Sequence, residues 1–100
     1  GESELVFQDL KIDTLARTAF VSSKDVNLTK TEYELLLFLF INRSRVITKN
    51  AIAEHLSGQS AMYLDNFDII YAHVKNLKKK LLSMGNCIKT IYGTGYKFSE

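Results

Sequence analysis

Apolar positions recur with a period of two near the start of the chain, at Leu5 and Phe7 and again at Leu10 and Ile12. The beat weakens through Leu15, Arg17 and Ala19, and the apolar pair Phe20–Val21 ends it. A polar break covers residues 22–25, and a short run follows at 26–28. Alternation of this kind, punctuated by polar pairs, predicts a small antiparallel sheet of three or four strands.

At Thr29 the pattern changes. Thr29 followed three residues later by Glu32 is a capping box, in which the hydroxyl and the carboxylate satisfy free backbone N–H groups reciprocally. It predicts a helix over 30–42. Tyr33, Leu35, Leu36, Leu37, Phe38, Leu39, Phe40 and Ile41 make that helix apolar nearly all round. A helix of this kind must be covered on more than one side, which places it centrally. Residues 42–45 are a polar connection, and Val46–Ile47 lead to a second cap at Thr48. The helix predicted over 49–56 sets Ile52 and Leu56 on one face. Residues 57–64 read as a loop. Asp65 or Asn66 caps a third helix over 67–83, with Gly85 suited to the left-handed position that closes a helix. Two β-prone stretches, 88–92 and 96–98, flank Gly93-Thr94-Gly95 and predict a hairpin. The order sheet, three helices, hairpin is an α+β arrangement.

Composition narrows the function more than the fold. At 100 residues the chain suits one domain, 1–100. Cys87 is the only cysteine, so no internal disulfide forms, which favours a reducing, cytoplasmic setting. With His55 and His73 as the only histidines, no metal-ligand cluster is expected. The longest apolar run, 35–41, is far short of the ~20 residues of a membrane span. Polar and acidic residues at 1–10 give no sign of a signal peptide. No nucleophile–base constellation appears, so neither enzymatic activity nor a cofactor is expected. The net charge of +2 hides a division. Residues 1–66 carry seven basic and nine acidic side chains, whereas residues 67–100 carry six basic and two acidic.

That basic excess centres on the third predicted helix. At about 100° per residue, Ile70, Val74, Leu77 and Leu81 form one narrow stripe suited to a core. Asp68, Ala72, Lys75, Asn76 and Lys79 lie opposite. Tyr71 and Lys78 border one flank, and His73 and Lys80 the other. A helix that enters a DNA major groove needs an anchored back, cationic edges for phosphates and small or hydrogen-bonding groups toward the bases. A solvated face of an ordinary amphipathic helix has the same charge pattern; the hairpin that follows favours DNA.

Other candidates have simpler accounts. His55 follows Glu54, but adjacent helical residues do not face each other, so a structural or surface role is expected. Cys87 has no cue for a depressed pKa and reads as a buried strand residue. Gly93-Thr94-Gly95 does not open a helix, as a phosphate-binding glycine loop must. Phe38 and Phe40 read as core.

Three segments together resemble the winged-helix DNA-binding domain of OmpR/PhoB-type bacterial response regulators. They are Leu28-Thr-Lys-Thr-Glu-Tyr-Glu-Leu-Leu, Ala72-His-Val-Lys-Asn-Leu-Lys-Lys-Lys-Leu and Ile88-Lys-Thr-Ile-Tyr-Gly-Thr-Gly-Tyr-Lys-Phe. They occur in the family's order and spacing, and the similarity covers essentially the whole chain. The resemblance implies a winged helix-turn-helix with a four-stranded N-terminal antiparallel sheet, three helices and a C-terminal β-hairpin wing. It implies base-facing roles for Tyr71, Ala72, Asn76 and Thr90, and phosphate contacts from His73, Lys75, Lys78 and Lys79. It places Tyr92, Thr94 and Lys97 in or beside the wing. It matches Ser57, Gly58, Gln59, Ser60, Ala61, Met62, Tyr63 and Leu64 to a loop that contacts RNA polymerase. The chain also departs from the family. Tyr71 stands where Asp is common, Asn76 and Tyr92 where Arg is common, Lys30 where Pro is typical, and Ser57 where Trp is frequent.

For the whole protein, the resemblance implies a phosphorylation-controlled two-component response regulator. An upstream receiver domain, outside this chain, would be phosphorylated by a sensor histidine kinase. The active full-length homodimer would place two such domains on direct repeats of double-stranded DNA to regulate transcription. The competing expectation is a winged-helix module that binds another protein.

Overall fold

The structure, a computed structural model, describes residues 3–58 and 66–100. Strands β1 (Glu4–Phe7), β2 (Leu10–Asp13), β3 (Thr18–Val21) and β4 (Lys24–Asp25) form an antiparallel meander in that order. Register pairs Leu5 with Ile12 and Ile12 with Ala19, so one face carries the apolar row. Ser22 and Ser23 both have positive φ, 50° and 69°, the two-residue turn that matches strand twist in a hairpin. The polar stretch at 22–25 is therefore a turn plus β4 rather than a gap. No strand forms at 26–28. Val26 N–H still donates to the Ala19 carbonyl, but Asn27 turns to φ 54° and donates its N–H to the Asp25 carboxylate, which ends the pairing.

Helix α1 (Lys30–Ile41) begins with the expected capping box: Glu32 N–H donates to Thr29 Oγ1, and Thr29 N–H to Glu32 Oε1. Tyr33, Leu35, Leu36, Leu39 and Phe40 are buried along it. Sheet, helices and wing meet on this helix, which explains its all-round apolarity. An aromatic trio marks the junction, with Phe98 edge-on to Phe7 and Phe40 at 5.3 and 5.2 Å between centroids. Helix α2 (Lys49–Leu56) is capped by Thr48, whose hydroxyl accepts from Ala51 N–H, and buries Ile52, Ala53 and Leu56.

Helix α3 (Phe67–Lys80) is capped by Asn66 and buries Ile70, Val74 and Leu77. It ends at Lys80, short of residue 83, and a 3₁₀ segment (Leu82–Cys87) follows. The reversal falls on Leu82, at φ 56°, a strained conformation for a non-glycine residue. Gly85 is not left-handed. Its role is close approach: a Cβ there would lie 2.3 Å from the Lys78 carbonyl oxygen.

Strands β6 (Ile88–Ile91) and β7 (Gly95–Phe98) form the hairpin, and β5 (Ile47–Thr48) adds a third strand that the sequence pattern does not predict. Ile47 pairs with Tyr96 and Thr48 with Gly95. Gly95 permits this, since a Cβ would sit 2.0 Å from the Ile47 carbonyl oxygen. Among the described residues no helix is long and apolar enough to cross a membrane.

Candidate nucleic-acid interface

The buried stripe of α3, continued by Leu81, turns the opposite face outward. Tyr71, Ala72, Lys75, Asn76 and Lys79 are all exposed, while His73, Lys78 and Lys80 are half-buried along the flanks. Three basic residues, Lys78, Lys79 and Lys80, fall in the last turn of the helix, where cations offset the partial negative charge of the free carbonyls. Lys80 is committed elsewhere. Its Nζ donates to Glu32 Oε1 at 2.6 Å and to the Asn27 carbonyl at 3.1 Å. Glu32 is only 3% exposed. Burial alone would raise its pKa, but the hydrogen bond and charge of Lys80, with the Thr29 N–H, hold it below the usual carboxylate value. The pair clamps the end of α3 to the cap of α1, so Lys80 belongs to the frame of the helix rather than to its outer face.

The wing stands beside α3. Between them lies an open hollow of about 270 Å³ lined by Tyr71, Val74, Lys75, Lys78, Lys79, Thr90 and Tyr96. Five sequence-predicted residues thus converge: Tyr71, Lys75, Lys78, Lys79 and Thr90. Its floor is Val74 and Tyr96, both buried. Burial raises the Tyr96 phenol pKa, and the neighbouring Tyr71 adds to the rise. A second hollow of about 370 Å³ is bounded by Lys49, Tyr71, Thr90, Ile91, Tyr92, Gly93, Gly95 and Tyr96. A third joins the start of α2 (Thr48, Lys49, Asn50) to Phe67, Gly93 and Thr94.

Ala72 and Asn76 face outward beside these hollows, and His73 lies on the other flank. Lys97 is placed apart. It pairs with Lys89 across the ribbon, on the face opposite Thr90 and Tyr96 because strand side chains alternate. Tyr92 sits in the wing turn and is 98% exposed. Lys49, Phe67 and Tyr96 also border the site, and the sequence pattern does not single them out. Phe67 and Tyr96 look apolar or structural in one dimension, and Lys49 is brought alongside only because β5 pairs with β7.

Of the loop at residues 57–64, only Ser57 and Gly58 lie within the described residues; Gln59, Ser60, Ala61, Met62, Tyr63 and Leu64 fall outside them, as does Asp65. Ser57 Oγ donates to the Glu54 carbonyl and closes α2. His55 is a surface residue: its ring stacks on Phe38 at 4.0 Å and its Nε2 lies 3.8 Å from Glu34. Cys87 is buried, and that burial raises its thiol pKa.

Comparisons with known proteins identify the family and the fold. A family model described as "Transcriptional regulatory protein, C terminal" matches residues 23–98. The chain is 34% identical over 96 residues to the transcriptional regulatory protein VxrB of Vibrio cholerae, covering 96% of this chain and 38% of that protein. It is similar in structure to the response regulator DrrB of Thermotoga maritima, an OmpR/PhoB homolog, with a TM-score of 0.80 and 31% identity. That match covers 98% of this chain and 45% of DrrB. The DNA-binding domain of the response regulator AdeR, solved in complex with an intercistronic region, is similar at a TM-score of 0.79 and 26% identity, covering 95% of this chain and 97% of that domain. The chain therefore spans less than half the length of VxrB and of DrrB.

Proposed function

The chain belongs to the family of C-terminal domains of transcriptional regulatory proteins, of the OmpR/PhoB winged-helix type, and on that premise we propose that it binds double-stranded DNA sequence-specifically to regulate transcription. The observation that carries the proposal is the division of α3. Ile70, Val74 and Leu77 are buried while Tyr71, Ala72, Lys75, Asn76 and Lys79 are exposed beside the wing. An anchored helix with such a face fits a major groove.

In this proposal Tyr71, Ala72, Asn76 and Thr90 face base edges. His73, Lys75, Lys78 and Lys79 meet phosphates and release counterions on binding. Tyr92 and Thr94 lead the wing toward the adjacent minor groove, with Lys97 on its far face. Lys49 and Asn50, at the start of α2, stand near enough to the wing turn to meet the same strand.

The greater length of the relatives supports a larger protein around this domain. Its upstream receiver would be phosphorylated by a sensor kinase, and its homodimer would place two such domains on direct repeats. Residues 57–64 would offer a contact to RNA polymerase.

A salt titration of duplex binding tests the proposal. Affinity should fall steeply and log-linearly with salt, with a slope near −0.9 for each phosphate neutralised. Binding indifferent to salt, or no duplex recovered from a random pool, would refute it.

A further inference from the structure

The wing tip carries no charge. Its turn runs Tyr92-Gly93-Thr94, closed by Thr94 N–H donating to the Ile91 carbonyl. The two lysines of the ribbon lie away from it. Lys89 Nζ is held by the Asn86 carbonyl at 2.9 Å, and Lys97 stands opposite Lys89. Tyr92 is the one large side chain of the turn and is almost wholly exposed. Behind it the backing is stiff: Lys49 N–H donates to the Thr94 carbonyl, and Gly95 lies flush against Ile47. Tyr92 of the wing and Tyr71 of α3 border the same hollow, with Lys49 also on its wall.

A cation at a wing tip is drawn to the strong negative potential of a narrow, A-tract minor groove. An uncharged aromatic ring gains nothing from that potential and needs room. Bulky apolar side chains that enter the minor groove do so by partly unstacking a base step and opening the groove. Pyrimidine–purine steps yield most readily to such deformation.

We propose that Tyr92 is a specificity-determining wedge, inserted at a deformable pyrimidine–purine step in the minor groove, so that the wing selects its site by DNA flexibility. The inference rests on the DNA-binding reading above. The strand that crosses from the major to the minor groove passes the hollow between Tyr71 and Tyr92, with Lys49 facing its phosphates. The ring carries the wedge, and its hydroxyl is dispensable.

The test uses the 100-residue chain and a duplex recovered by selection from a random pool. 2-Aminopurine is placed in turn at each adenine flanking the α3 footprint, and its fluorescence reports unstacking. Wild type should raise fluorescence at one flanking step. It should prefer TA or CA over an A-tract there by about tenfold, a size within the range of deformation costs. Tyr92→Phe should keep both effects. Tyr92→Ala should abolish both and weaken binding to the selected duplex with the salt slope unchanged, and its exposure leaves the fold intact. Tyr92→Arg should reverse the preference toward the A-tract. Salt-dependent binding without a fluorescence change or step preference in wild type overturns the wedge alone. Failure of wild type to bind any duplex overturns the DNA-binding reading with it.

Discussion

Neighbouring residues on α3 have different work, and single substitutions separate them. Asn76 is exposed and uncharged, with an amide able to pair in a bidentate manner with an adenine edge. Asn76→Ala should cost about 1–3 kcal/mol at the cognate site and relax preference at one base position. Competition between single-base variants of the duplex reads this directly, and equal weakening on random DNA would assign Asn76 to the backbone. Lys79 is exposed in the last turn of the helix. Lys79→Ala should weaken all duplexes alike and reduce the salt slope by about 1. Lys80 is the contrasting case. Sequence places it on the flank of the basic face, but its partner Glu32 is 48 residues away along the chain. No helical period reports such a pairing, so the lysine that frames the helix looks identical to those beside it.

At the level of elements, the local signals are the ones the sequence states clearly. The caps at Thr29 and Thr48, the helix of residues 49–56, the buried stripe of α3 and the hairpin all follow from chemistry within a few neighbouring positions. What the sequence hides depends on distant backbone. Residues 47–48 form a strand only because β7 lies alongside, and the turn at 82 is placed by how α3 packs rather than by a glycine. Gly85 shows this most clearly. A glycine just past a helix suggests a left-handed cap, yet its backbone is pressed against the Lys78 carbonyl. Gly85→Ala should therefore destabilise the fold by about 1–3 kcal/mol, the usual cost of overpacking. The urea midpoint should fall with the m-value unchanged. An unchanged midpoint would show that the 3₁₀ segment yields without cost.

Across the whole molecule, the Glu32–Lys80 pair joins the sheet-to-helix connection, α1 and α3, and it makes stability respond to acid. Glu32 titrates below its ordinary value of 4.5. Its contribution is therefore fully present above that value and is lost as pH falls through the depressed pKa. Glu32→Gln should lower stability by about 1–2 kcal/mol at about pH 6. That range is discounted because the Lys80 side chain is a third exposed. The gap to wild type should narrow at about pH 3. Urea unfolding at the two pH values checks it; a gap that stayed constant would mean the loss is one of packing.

The strand β5 has a wider consequence for how this molecule changes. Because Ile47–Thr48 fastens the wing to the start of α2, and Glu32 fastens α3 to α1, the relative geometry of α3 and the wing is set by residues outside the proposed DNA-contacting set. Tyr71, Ala72, Asn76 and Tyr92 are exposed in the free protein and carry little of the packing. Such a division makes recognition transplantable. New side chains at these few positions should redirect the domain to another operator while the chassis, and the spacing it measures between grooves, stays as it is.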